Sequence, residues 1–119
     1  MFKLIVAGSR YFKDYERMEK ELDYFLSKRE KDEIEIVSGG CPTGADAFAE
    51  RYARSRGLAL QVFPANWRRW GKMAGPLRNR HMAEYADALI VYWDGKSSGT
   101  ANMIKEAEVC GLRIVVRRF

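Results

Sequence analysis

The chain has 119 residues, 47% of them hydrophobic and 31% charged. That is enough apolar material for one ordinary domain with its own core, and the lack of biased tracts argues against disorder. The net charge of +5 and pI near 9.4 favour anionic partners such as phosphates, nucleotides or nucleic acid, while no apolar run approaches the length of a membrane span.

The amino terminus, Met1 to Gly8, lacks the long apolar region and cleavage site of a signal peptide and reads as a first strand. The two cysteines, Cys41 and Cys110, have neither CxxC nor zinc spacing. A reduced, cytoplasmic protein without a metal or other cofactor is expected.

Five apolar runs follow one another near Lys3–Ala7, Ile34–Ser38, Ala59–Phe63, Ala88–Trp93 and Arg113–Arg117. Several are continuous rather than alternating, as in parallel strands buried on both faces. Segments of helical spacing lie between them. Tyr15, Met18, Leu22, Phe25 and Leu26 form one stripe, and Ala45, Phe48, Ala49, Tyr52 and Ala53 another, closed by Gly57. A third helix is predicted from about Pro76 to Tyr85, and a fourth from about Ser98 to Cys110 with Gly111 as its stop. Pro64 to Gly75 is the one irregular stretch. The alternation predicts a single α/β domain over residues 1–119: an open parallel sheet in order 3-2-1-4-5 with helices on both faces. Ligands of such sheets bind beyond the carboxyl ends of the strands, where the strand order reverses.

Three loops at that edge carry candidate binding residues. Gly8, Ser9 and Arg10 follow the first strand, offering close backbone approach and donors to an anion. Gly39, Gly40, Cys41, Pro42, Thr43, Gly44, Ala45 and Asp46 follow the second, as a glycine-rich turn opening a helix. Thr43 and Asp46 fit a capping-box-like pair, and Asp46 is alternatively a ribose ligand or an acid–base group. Cys41 has no histidine placed to activate it, the lone His81 lying elsewhere, and reads as a turn residue. Asp94, Gly95, Lys96, Ser97, Ser98, Gly99 and Thr100 follow the fourth strand, again with small and hydroxyl residues opening a helix. Neither G-x-G-x-x-G nor the G-x-x-x-x-G-K-[ST] phosphate loop is present. Cations collect at Arg68, Arg69, Lys72, Arg78, Arg80, Arg117 and Arg118. Trp67 and Trp70 interleave with some of them, either to stack on a base or to pack at the sheet edge or a subunit contact. Arg78 shares an inward stripe with Met82 and Tyr85, where it needs a partner.

Gly8-Ser9-Arg10, Gly39 through Asp46, Gly75-Pro76-Leu77-Arg78-Asn79-Arg80-His81-Met82 and Ser97-Ser98-Gly99-Thr100 together resemble the SLOG superfamily, in its small single-domain branch of bacteria and phages. The resemblance covers nearly the whole chain. It implies a Rossmann-like fold and a nucleotide-derived ligand: a nucleoside monophosphate, as in the LOG hydrolases, or an ADP-ribose derivative. It also implies that Arg78 and Asn79 join the loops at the site, with Arg10 and Arg78 neutralising a phosphate and Asp46 or Asn79 contacting a ribose. Against the LOG motif PGGxGTxxE, Gly99-Thr100 matches GT and Arg78 matches an upstream arginine, but Asn79 stands for a lysine and Met103 for the catalytic glutamate. Glu106 lies one helical turn further on. A binding protein that senses or sequesters the ligand is therefore expected ahead of a hydrolase in which Asp46, Asp94 or Glu106 replaces the missing glutamate beside Arg78. A nucleic-acid module built on Arg68, Arg69 and the tryptophans ranks last, lacking any standard motif. A homo-oligomer with Trp67 and Trp70 at its contact is compatible with the resemblance.

Overall fold

Along the first strand, successive side chains enter two different cores. In the computed structural model, which describes residues 1–119, Leu4 and Val6 of β1 (Phe2–Gly8) pack with α1 (Tyr15–Phe25) and α2 (Gly44–Arg56). Ile5 and Ala7 pack on the opposite face with Met82 and Ala83 of α4 (Ala74–Tyr85) and Met103 and Ala107 of α5 (Ser98–Val109). The period of two along a strand thus divides one continuous apolar run between two layers of helices.

The remaining strands are β2 (Ile34–Ser38), β3 (Ala59–Val62), β4 (Ala88–Trp93) and β5 (Arg113–Arg118), and a one-turn helix, α3 (Trp67–Trp70), precedes α4. The sheet is wholly parallel, in the predicted order β3-β2-β1-β4-β5. Right-handed crossovers travelling outward in the two directions from β1 put α1 and α2 on one face, α4 and α5 on the other. This is an α/β, Rossmann-like architecture. No helix is long and apolar enough to cross a membrane.

The chain between β3 and α4 differs from its irregular prediction. Asn66 caps α3, its Oδ1 accepting from the Arg69 N–H at 3.1 Å, and a 3₁₀ turn over Gly71–Met73 leads directly into α4. The fourth α-helix therefore begins at Ala74 rather than Pro76. Pro76 is tolerated because N–H groups of a first turn have no intrahelical acceptor. Gly57 closes α2 in the left-handed conformation, as read from the sequence.

Candidate functional site

The first loop is fastened to its neighbours through its backbone. Gly8 sits so close to β4 that a Cβ there would lie 2.2 Å from the Tyr92 carbonyl oxygen. The chain then turns, with the Ser9 N–H donating to that same carbonyl at 2.9 Å. Ser9 O accepts from Ala45 N at 3.1 Å, which ties the loop to the start of α2. Gly44 makes this approach feasible, since a Cβ there would fall 2.3 Å from Arg10 Cα and the residue sits at φ +74°. Ser9 is buried and its hydroxyl accepts from the Tyr11 N–H at 3.1 Å, so Ser9 shapes the loop. Arg10 is exposed, its guanidinium 5.5 Å above the Tyr11 ring.

The second loop carries the densest polar network. Ser38 Oγ accepts from the Gly40 N–H at 3.1 Å and donates to Glu50 Oε2 at 3.0 Å. Asp46 lies in the first turn of α2, only 7% exposed, and its Oδ2 accepts from the Cys41 N–H at 3.2 Å. The expected capping box is not formed. Thr43 holds the N-cap position without a side-chain bond, and the carboxylate reaches back past it to Cys41. Between Thr43 and Asp46, Gly44 opens the helix at φ +74°. Burial pushes the Asp46 carboxyl up to about 6, against the lowering effects of the Cys41 N–H and the Arg78 charge.

Arg78 crosses from α4 to this loop, donating through Nη1 to the Gly39 carbonyl oxygen and through Nε to Asn79 Oδ1 at 3.0 Å. A Cβ on Gly39 would lie 2.7 Å from Arg78 Nη1 and 2.8 Å from Asp46 Oδ2. Cation and carboxylate therefore flank one glycine, and a side chain there would have to push one or both aside. Asn79, buried, passes the network onward: its Nδ2 donates to Gly99 O at 3.3 Å and Asn102 Oδ1 at 2.9 Å. One hydrogen-bonded chain thus runs from the loop after β2, through α4, to the loop after β4.

In that last loop, Asp94 accepts from the N–H groups of Lys96 and Ser97, both at 2.8 Å, which hold its carboxyl below the usual range. Ser97 caps α5, its Oγ accepting from Thr100 N at 3.4 Å and from Thr100 Oγ1 at 3.2 Å. Thr100 is buried, while Ser98 and Gly99 face solvent with no neighbour within 4 Å of a Cβ built at Gly99. The loop offers the free N–H groups of a helix start to an anion.

The fold brings Gly8 to Arg10, Gly39 to Asp46, Arg78, Asn79 and Ser98 to Thr100 to one edge of the sheet. Other chemistry-bearing residues are engaged elsewhere. Met103 is a core residue, packed among Ile5, Val37, Leu89 and Val91. Glu106 pairs with Arg80 at 3.4 Å, and Asp94 is spent on its own turn. His81 is exposed, and Cys41 is a half-buried free thiol. Glu50 and Asn102 belong to the network but were not read from the sequence. Their signals were present: Glu50 lies one helical turn after Asp46, and Asn102 three residues after Gly99. A shallow cavity of about 320 Å³ lies by the start of β2, at the opposite edge. Its polar groups already satisfy one another, with Arg56 paired to Asp23 at 2.7 Å and to Glu19 at 3.2 Å, and Tyr52 donating to Asp23 at 2.6 Å.

Comparison with known proteins bears on this edge. The model of the YspA, cpYpsA-related SLOG family matches residues 2–70, which include the first two loops, Asp46 and α3. The Gene 61 protein of Mycobacterium phage D29 is 32% identical over 121 residues, covering 97% of this chain and 95% of that protein. No solved structure matches.

Proposed function

The chain belongs to the YspA, cpYpsA-related SLOG family, and from that premise we propose that it binds a nucleotide-derived small molecule at the carboxyl edge of its sheet, so as to sense or sequester it. The observation that carries this reading is the placement of Arg78 and Asp46 on either side of Gly39, beside the start of α2. Arg78 Nη2 has no partner in the protein and is available to a phosphate, with Arg10 as a second cation on an exposed loop. The N–H groups opening α2 and α5 add fixed partial positive charge. Asp46 Oδ1, on the far side of the carboxylate from the Cys41 bond, suits a ribose hydroxyl. Asn79 acts differently from a direct sugar ligand: its amide is used in holding Arg78, Gly99 and Asn102 together.

A second reading, cleavage of an N-glycosidic or phosphate bond, draws on one observation. Asp46, with its carboxyl raised to about 6, exchanges protons near neutral pH beside a cation. Met103 in the core leaves the LOG glutamate position without a carboxylate.

A thermal-shift screen with nucleoside monophosphates, ADP-ribose, its cyclic forms and NAD, followed by mass spectrometry of each mixture, tests both. A ligand at 100 times its dissociation constant adds about 2.7 kcal/mol of stability. A shift with intact ligand, abolished in Arg78→Ala, is expected. Ligand breakdown that Asp46→Asn abolishes would establish the enzymatic reading instead, and the absence of any shift or breakdown would contradict both.

A further inference from the structure

The chain has three tryptophans, and two have their rings engaged. Trp93 donates to Ser97 O at 3.1 Å and carries the Arg118 guanidinium 5.4 Å from its ring. Trp70 carries that of Arg69 at 4.8 Å. Trp67 has neither an aromatic ring nor a cation on its faces and is 60% exposed.

The tip of the Trp67 ring meets α4 at Gly75. A Cβ built on Gly75 would lie 3.2 Å from Cη2 of the Trp67 ring, but 3.9 Å and 4.0 Å from the adjacent ring carbons Cζ3 and Cζ2. In a face-on approach those two atoms would be almost as close as Cη2, so the indole stands edge-on against α4 with its faces turned away from Gly75. The missing side chain at Gly75 gives the ring its seat. Gly75 precedes Arg78 by three residues, which puts the two on one side of α4 about 5–6 Å apart. The tip of the indole thus lies about one helical step from the base of Arg78, whose guanidinium reaches the second loop. Its own helix carries Arg68 and Arg69, and Lys72 follows, so an anionic ligand is favoured beside it.

We propose that Trp67 is the base-stacking platform of this site: a nucleobase lies flat on the indole while the phosphate of the same nucleotide is held toward Arg78 and the start of α2. The proposal rests on the nucleotide-binding reading and narrows it, because it requires a ligand that carries a base. A free ring face takes any base, since stacking depends on the π-surface rather than on hydrogen-bond pattern.

Calorimetric titration of wild type, Trp67→Ala and Trp67→Phe separates the two claims. The probes are the four ribonucleoside 5′-monophosphates, ADP-ribose and the base-free ribose 5-phosphate, with sedimentation of each variant run in parallel. At least one base-bearing probe should bind wild type more tightly than ribose 5-phosphate does. Trp67→Ala should weaken that probe by about tenfold, with ribose 5-phosphate unaffected, and Trp67→Phe should recover most of the loss. Nucleotide binding that Trp67→Ala leaves intact, or an equal loss for both ligand types, overturns the stacking role alone. So does self-association that disappears in Trp67→Ala without any effect on nucleotide, which would make the indole a subunit contact. Failure of wild type to bind any probe overturns the nucleotide-binding reading and the platform with it.

Discussion

At Asp46, burial and charge pull in opposite directions. The carboxyl is raised from 3.8 to about 6, chiefly by desolvation, with Glu50 adding to the rise. The folded state therefore holds its proton more tightly than the unfolded chain does. The contribution to stability is greatest below the unfolded value of 3.8 and is lost as pH rises through about 6. A rise of this size corresponds to a cost of up to about 3 kcal/mol at neutral pH. Asp46→Asn should flatten the pH dependence between those two values and make the protein more stable than wild type at pH 8, as read by urea denaturation across that range. The same substitution should weaken ligand binding, the usual exchange between stability and a functional site. The sequence supplied Asp46 and Arg78 as candidates, through a glycine-rich turn and a cation on an apolar stripe. It did not disclose their relation, because that depends on how the loop after β2 folds against α4, where both groups approach Gly39.

At the level of elements, the joint between β1 and α2 and the first turn of α1 make separate claims. Gly44→Ala would force a Cβ to 2.3 Å from Ser9 O and Arg10 Cα at a backbone angle that alanine disfavours. A loss of about 3 kcal/mol or more is expected in chemical denaturation. Tyr15 bears the one buried side-chain polar atom without a partner, its hydroxyl. Its ring packs edge-on to Phe48 at 5.3 Å and beneath Arg51 at 3.9 Å, contacts that phenylalanine would keep. Tyr15→Phe should therefore raise stability by about 1 kcal/mol, seen as an increase in Tm. The strands and the four long helices were legible because their apolar spacing repeats over several turns or residues. The helix α3 was not, since four residues are too few to show a 3.6-residue period; the signal that survives is Asn66 before it, a good N-cap.

For the whole molecule, strand order decides where function can sit. Two helices pack on each face because the chain winds outward in both directions from β1, and the loops leaving the carboxyl ends of the paired strands β1 and β4 run to opposite faces at the reversal. This much followed from five apolar runs, several of them continuous, separated by helical segments. The engagement of Glu106 with Arg80 and the burial of Met103 did not, since each depends on which side of α5 faces the sheet. The central claim is that ligand binds at this reversal, and the most direct measurement is an amide-resolved NMR titration of the ¹⁵N-labelled protein with ADP-ribose and the nucleoside monophosphates. Binding there requires the largest shifts at Ser9–Tyr11, Gly39–Thr43 and Ser98–Thr100. Shifts confined to the opposite edge, around Arg29, Lys31 and Leu58, or no shifts with any of these ligands, would contradict it.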